Sequence, residues 1–112
     1  MIDVHCHLLP GVDDGPADMD VALALVKASA SNGISHAICT PHIYPGRWDN
    51  GYGNLQPALD SLRQAMLAAN ITLQLKLGAE VRVCDELPQL IQAGRIPMLG
   101  HVNGYDILLL EM

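Results

Sequence analysis

Ile2-Asp3-Val4-His5-Cys6-His7-Leu8-Leu9-Pro10-Gly11-Val12-Asp13-Asp14-Gly15-Pro16 is the stretch on which the fold turns. Ile2 to His5 reads as a short apolar strand. Leu8 to Pro16 follows as a loop rich in Pro, Gly and Asp. From about Asp18 to Asn32, the apolar residues Val21, Leu23, Ala24, Leu25 and Ala28 recur on one helical face, and Asn32-Gly33 suits a helix end. Strand, loop and helix in immediate succession make one β-loop-α unit.

Outward from that unit the pattern repeats. Ile34 to Thr40 reads as a second strand, Pro41 to Gly53 as a long loop, and Asn54 to Asn70 as a helix with Leu55, Leu59, Leu62, Met66 and Leu67 at helical spacing. Ile71 to Val81 reads as one strand. Asp85 to Ala93 is a short helix stopped by Gly94, Ile96 to Leu99 a short strand or turn, and Asp106 to Met112 a buried strand carrying Leu108-Leu109-Leu110. Alternation of this kind implies an α/β fold, with parallel strands and flanking helices.

The 112 residues suffice for one small domain, and the 50% apolar content supplies a core without any Phe. The formal charge of -6 and the scattered Lys and Arg leave no basic stripe for nucleic acid. Cys6, Cys39 and Cys84 are odd in number and far apart, which argues against a disulfide framework or a zinc knot. Reduced thiols in the cytoplasm are expected. No signal peptide or membrane span is read from the N-terminus. No nucleophile elbow, phosphate-binding loop or Cys-x5-Arg loop occurs.

The chemistry sits where the strands end. His5 and His7 fall at the end of the first strand, Asp13 and Asp14 in the loop after it, and His42 at the loop entrance after the second strand. Glu80 and Glu111 lie near the ends of two later strands. Sites in parallel α/β folds gather on that rim. Side chains two apart on a strand share a face, so His5 and His7 can reach one ion. Each element has a plainer alternative: Asp-Asp-Gly is a good turn, and Asp18 or a neighbour suits a helix cap. Carboxylates ending apolar strands are costly unless paired or bound to a cation. His36 and His101 fall off this rim and are expected to be structural or solvent-facing, and Cys6 and Cys39 to be core residues.

Ile2-Asp3-Val4-His5-Cys6-His7, the run through Asp13-Asp14-Gly15-Pro16, Thr40-Pro41-His42 and Gly78-Ala79-Glu80 together resemble the PHP superfamily. They are most similar to its manganese-dependent protein-tyrosine phosphatases of capsule and exopolysaccharide clusters. The resemblance implies a partial (β/α) barrel of the PHP type: one domain over residues 1–112, the N-terminal half of the family's barrel, truncated. It also implies metal ligation by His5, His7, Asp14, His42, Glu80 and Glu111, with Glu80 bridging. Hydrolysis of phosphotyrosine through metal-activated water is the implied activity. Manganese is the expected metal, with iron or zinc also suited to mixed imidazole and carboxylate ligands. The implied partner is a phosphotyrosine protein such as the tail of a bacterial tyrosine autokinase. Arg47 is the one nearby arginine for a phosphate contact. The short chain also implies self-association and leaves two further readings open: a metal-binding fragment without turnover, and a hydrolase of a small phosphomonoester such as histidinol phosphate.

Overall fold

A computed structural model describes residues 1–112. The first β-loop-α unit forms as expected: β1 is Ile2–Cys6 and α1 is Met19–Ser31. Asp18 caps α1, its carboxylate accepting a hydrogen bond from the Val21 amide at 3.0 Å. β2, His36–Cys39, pairs in parallel with β1, and the register shifts between Asp3 and Cys6. β3 is His42–Ile43 and α2 is Tyr52–Ala68. β4, Gln74–Leu77, lies parallel to β2 and completes a sheet of order β1-β2-β4.

A second parallel sheet, β3-β5-β8, continues toward the rim, with β5 at Glu80–Arg82 and β8 at Leu109–Glu111. Between these last two run a short helix α3, Leu87–Gln92, and a hairpin of β6, Gly100–Val102, and β7, Tyr105–Ile107. The hairpin is antiparallel, whereas the pairings within the two three-stranded sheets are parallel.

Both long helices pack on one side of the first sheet. The core joins Ala22 and Val26 of α1 and Leu55, Leu59, Leu62 and Met66 of α2 to Ala37, Cys39, Leu75 and Leu77 of the strands. The opposite side keeps Ile2, Val4, Gln74 and Lys76 exposed.

Six expectations change. The strand expected over 71–81 is two strands, because a Cβ at Gly78 would lie 2.8 Å from the Leu99 side chain and 2.9 Å from that of Ile38, so the backbone is drawn in and the ladder shifts there. The loop 41–53 carries β3 and an isolated bridge between Tyr44 and Trp48. The strand expected over 106–112 divides between β7 and β8, and it is not buried: Leu110 is 47% exposed. In α1 the buried pair is Ala22 and Val26, four residues apart on one face, while Val21, Ala24, Leu25 and Ala28 are exposed. Leu67 of α2 is 74% exposed, one position past the buried stripe that ends at Met66. Cys39 is a core residue as expected, whereas Cys6 is only half-buried.

Candidate metal centre

The rim forms because three crossovers bring strand ends together. Register pairs His42 with Glu80 across β3 and β5, and Arg82 with Glu111 across β5 and β8. The irregularity between Asp3 and Cys6 aims His5, and bulges commonly re-aim side chains beside sites. Buried Thr40 locks the end of β1: its hydroxyl accepts from the Cys6 amide at 3.1 Å and donates to the Cys6 carbonyl at 3.2 Å.

Glu80 stands at the middle. Its Oε1 is 2.9 Å from His5 Nε2, 3.0 Å from His7 Nε2 and 3.7 Å from His42 Nδ1. The two Nε2 atoms are 3.4 Å apart. His42 Nδ1 also lies 2.9 Å from Glu111 Oε2, and its Nε2 lies 3.4 Å from Asp14 Oδ1. The structure thus brings together all six of His5, His7, Asp14, His42, Glu80 and Glu111, with Asp13 among them, in three overlapping groups that share Glu80, His7 and His42. His42 is not confined to Asp14; its other nitrogen joins Glu80 and Glu111.

Two observations fit this donor set to divalent ions. Donor atoms about 2.1 Å from one ion, with bonds at tetrahedral to right angles, lie roughly 3.0–3.4 Å apart, which matches the triangle of His5, His7 and Glu80. Secondly, His42 Nδ1 and Glu111 Oε2 are buried and have no hydrogen-bond partner, although they lie 2.9 Å apart. Proximity without hydrogen-bond geometry is what two atoms aimed at a common third atom produce. Buried polar atoms left without partners are otherwise costly.

The electrostatics are strongly coupled. A hydrogen bond to Asp13 raises the His7 pKa despite partial desolvation. Burial pushes Glu80 up, but the His5 hydrogen bond and the surrounding imidazoles outweigh it and leave the pKa lowered. Asp13 is lowered likewise: desolvation opposes, and His7 with the amides of His42 and Gly15 prevails.

Several neighbours carry no sequence motif. His7, His42 and Trp48 stack in series, with centroids 4.6 and 4.9 Å apart, and Arg47 caps the column 4.2 Å above the Trp48 ring. Arg47 is therefore beside the rim, its guanidinium lying on an aromatic face. Arg82 lies 3.7 Å from Glu111 and over the Tyr44 ring. Asn50 donates to the carbonyls of Val12 at 2.9 Å and His42 at 2.7 Å, tying the Asp loop to β3. An aromatic and an arginine in one loop were the only signal for the column. His36 and His101 lie outside the cluster, hydrogen-bonded to Ser35 and Asp106 respectively.

The sequence profile of the CpsB/CapC family of capsular polysaccharide synthesis matches residues 1–112. The tyrosine-protein phosphatase YwqE of Bacillus subtilis is 35% identical over 89 residues, which cover 80% of this chain and 35% of YwqE. CapC of Staphylococcus aureus is 30% identical over 111 residues, 99% of this chain and 42% of its own. Solved structures of YwqE from Bacillus subtilis and CpsB from Streptococcus pneumoniae, described as unique metal-dependent tyrosine phosphatases, include a chain that superposes with a TM-score of 0.84 at 30% identity. That match covers 98% of this chain and 43% of the other. The chain thus spans less than half the length of these relatives.

Proposed function

The chain belongs to the CpsB/CapC family of capsular polysaccharide synthesis, and on that premise we propose that its rim is the metal centre of a phosphotyrosine phosphatase. The convergence of His5, His7 and His42 on Glu80 Oε1 is the observation that carries the proposal. His5, His7 and Glu80 would hold one ion, and Glu80 and Glu111 a second. Asp14 and His42 would hold a third, and the buried approach of His42 Nδ1 to Glu80 and Glu111 favours its serving the second as well. Manganese is the proposed metal, with iron and zinc compatible with the same donors. When bound, such ions neutralise phosphate charge and lower the pKa of water.

The chain's own groups supply the rest. Arg47, stacked on Trp48 beside the rim, is the proposed contact for phosphate oxygens as charge develops. Asn50 and Thr40 keep the ligand-bearing segments in register. The strand run from β1-β2-β4 into β3-β5-β8 supports a partial (β/α) barrel of the PHP type as the single domain of residues 1–112. The proposed substrate is a phosphotyrosine protein, such as the tail of a bacterial tyrosine autokinase, met in the cytoplasm. No helix is long and apolar enough to cross a membrane.

Hydrolysis of a phosphotyrosine peptide by the 112-residue chain, with manganese and then with chelator, tests the proposal beside a full-length relative. We expect turnover that chelator or His5→Ala abolishes. Chelator-resistant turnover contradicts the mechanism. Tight manganese binding with no turnover favours metal binding alone.

A further inference from the structure

We infer that Asp13 is a positioning residue: its buried carboxylate holds the His7 ring with the proton on Nδ1 and Nε2 bare toward Glu80. This assignment deepens the metal-centre reading and rests on it. Asp13 and Asp14 are neighbours in sequence but differ in circumstance. The Asp14 side chain is 59% exposed and faces His42 Nε2. The Asp13 side chain is 1% exposed, and donors of this chain surround it. Its Oδ1 accepts from the Gly15 amide at 2.9 Å. Its Oδ2 accepts from the His42 amide at 2.9 Å and stands 3.3 Å from His7 Nδ1.

A carboxylate only accepts, so the hydrogen between Asp13 and His7 sits on Nδ1. In the neutral ring Nε2 is then a bare lone pair. It is directed at the spot where Glu80 Oε1, 3.0 Å away, and His5 Nε2, 3.4 Å away, also converge. With three of its acceptor positions filled, Asp13 works better as the orienting partner of a ligand than as a ligand. Carboxylate-to-imidazole pairs of this kind set both ring tautomer and ring direction at metal sites.

The loop is built to keep that carboxylate still. A Cβ at Gly15 would lie 2.9 Å from the His7 carbonyl and 3.1 Å from Asp13 Oδ1, so only glycine lets the loop close over His7. Asn50 pins the preceding residue through the Val12 carbonyl. Asp13 also holds the His42 amide, so one side chain couples two ligand-bearing segments.

The test is nitrogen-15 correlated NMR of the imidazoles in the metal-free chain, at a pH where His7 is neutral, with His7→Gln assigning its signals. The expected result is the Nδ1–H tautomer for His7 in the parent chain and its conversion to Nε2–H in Asp13→Ala, which leaves no acceptor for Nδ1. Calorimetric titration with zinc chloride should then show roughly ten- to a hundred-fold weaker binding in Asp13→Ala. An Nε2–H tautomer in the parent overturns the assignment without any variant having to fold. A folded Asp13→Ala chain with an unchanged tautomer overturns it too. Absence of zinc binding in every form would sink the metal-centre reading instead, while the metal-free tautomer still decides the role of Asp13.

Discussion

Two imidazoles and a carboxylate within 3.0 Å contacts behave differently from the same groups on an open surface. His5→Ala and Glu80→Ala should each weaken manganese binding by roughly ten-fold or more, whereas His36→Ala and His101→Ala should leave it unchanged; calorimetry reads the difference. pH separates the metal-free and loaded states. In the metal-free chain the raised His7 pKa contributes stability that is complete below its ordinary value and lost as pH rises through the higher folded value. Asp13 and Glu80, lowered, contribute stability present above their ordinary values and lost as pH falls through the folded ones. The metal-free melting temperature should therefore be greatest between about pH 4.5 and 6.5, and His7→Gln should flatten the alkaline decline. Manganese needs deprotonated ligands, so the gain it gives should grow with pH over the same range. A gain that shrinks with pH would refute this. Of the six ligand candidates, Glu80 and Glu111 stood out because each falls near the end of an apolar strand where an unpaired carboxylate is penalised; the full set came from the family resemblance. Asp13's separate task was not legible, since Asp-Asp-Gly reads equally well as a turn. Thr40, Trp48 and Asn50 act only through contacts that span the chain, and no local spacing marks them.

At the scale of elements, α2 tests how the core is apportioned. Leu62 is fully buried and Leu67 lies outside the stripe. Leu62→Ala should cost roughly 2–5 kcal/mol in chemical denaturation, and Leu67→Ala within about 0.5 kcal/mol of nothing. Equal costs would mean that the helix is rotated. The helices were readable in outline because Leu55, Leu59, Leu62 and Met66 keep strict helical spacing. In α1 nearly every position is apolar or small, so periodicity alone could not say which face is buried. The β6–β7 hairpin had a signal that went unused. Asn103 and Gly104 both take positive φ, 54° and 81°, and Asn-Gly is the strongest short hairpin sequence. The break at Gly78 was hidden, because the crowding that causes it comes from Leu99 and Ile38, distant in the chain.

The whole molecule carries helices on one side of its first sheet only. Ile2 and Val4 on the other side, and Leu110 on the outermost strand of the second sheet, stay exposed. Parallel sheets are ordinarily covered on both faces, and apolar area removed from water is worth about 25 cal/mol per Å². The isolated chain should therefore self-associate, and light scattering that finds only monomer at high concentration would contradict this. The α/β class and the parallel order followed from the alternation of strands and helices, and the resemblance to half a barrel implied an uncovered face; which residues line it was not legible, because apolar runs read alike whether or not something packs on them. Function at this scale rests on the rim being a metal centre. Titration of the metal-free chain with manganese chloride, followed by calorimetry and melting temperature together, tests that most directly. The expected result is saturable binding at up to three ions per chain, a rise in melting temperature, and loss of both in the His5→Ala, Glu80→Ala double variant. A well-folded chain that takes up no manganese, and whose melting temperature ignores it, would contradict the account.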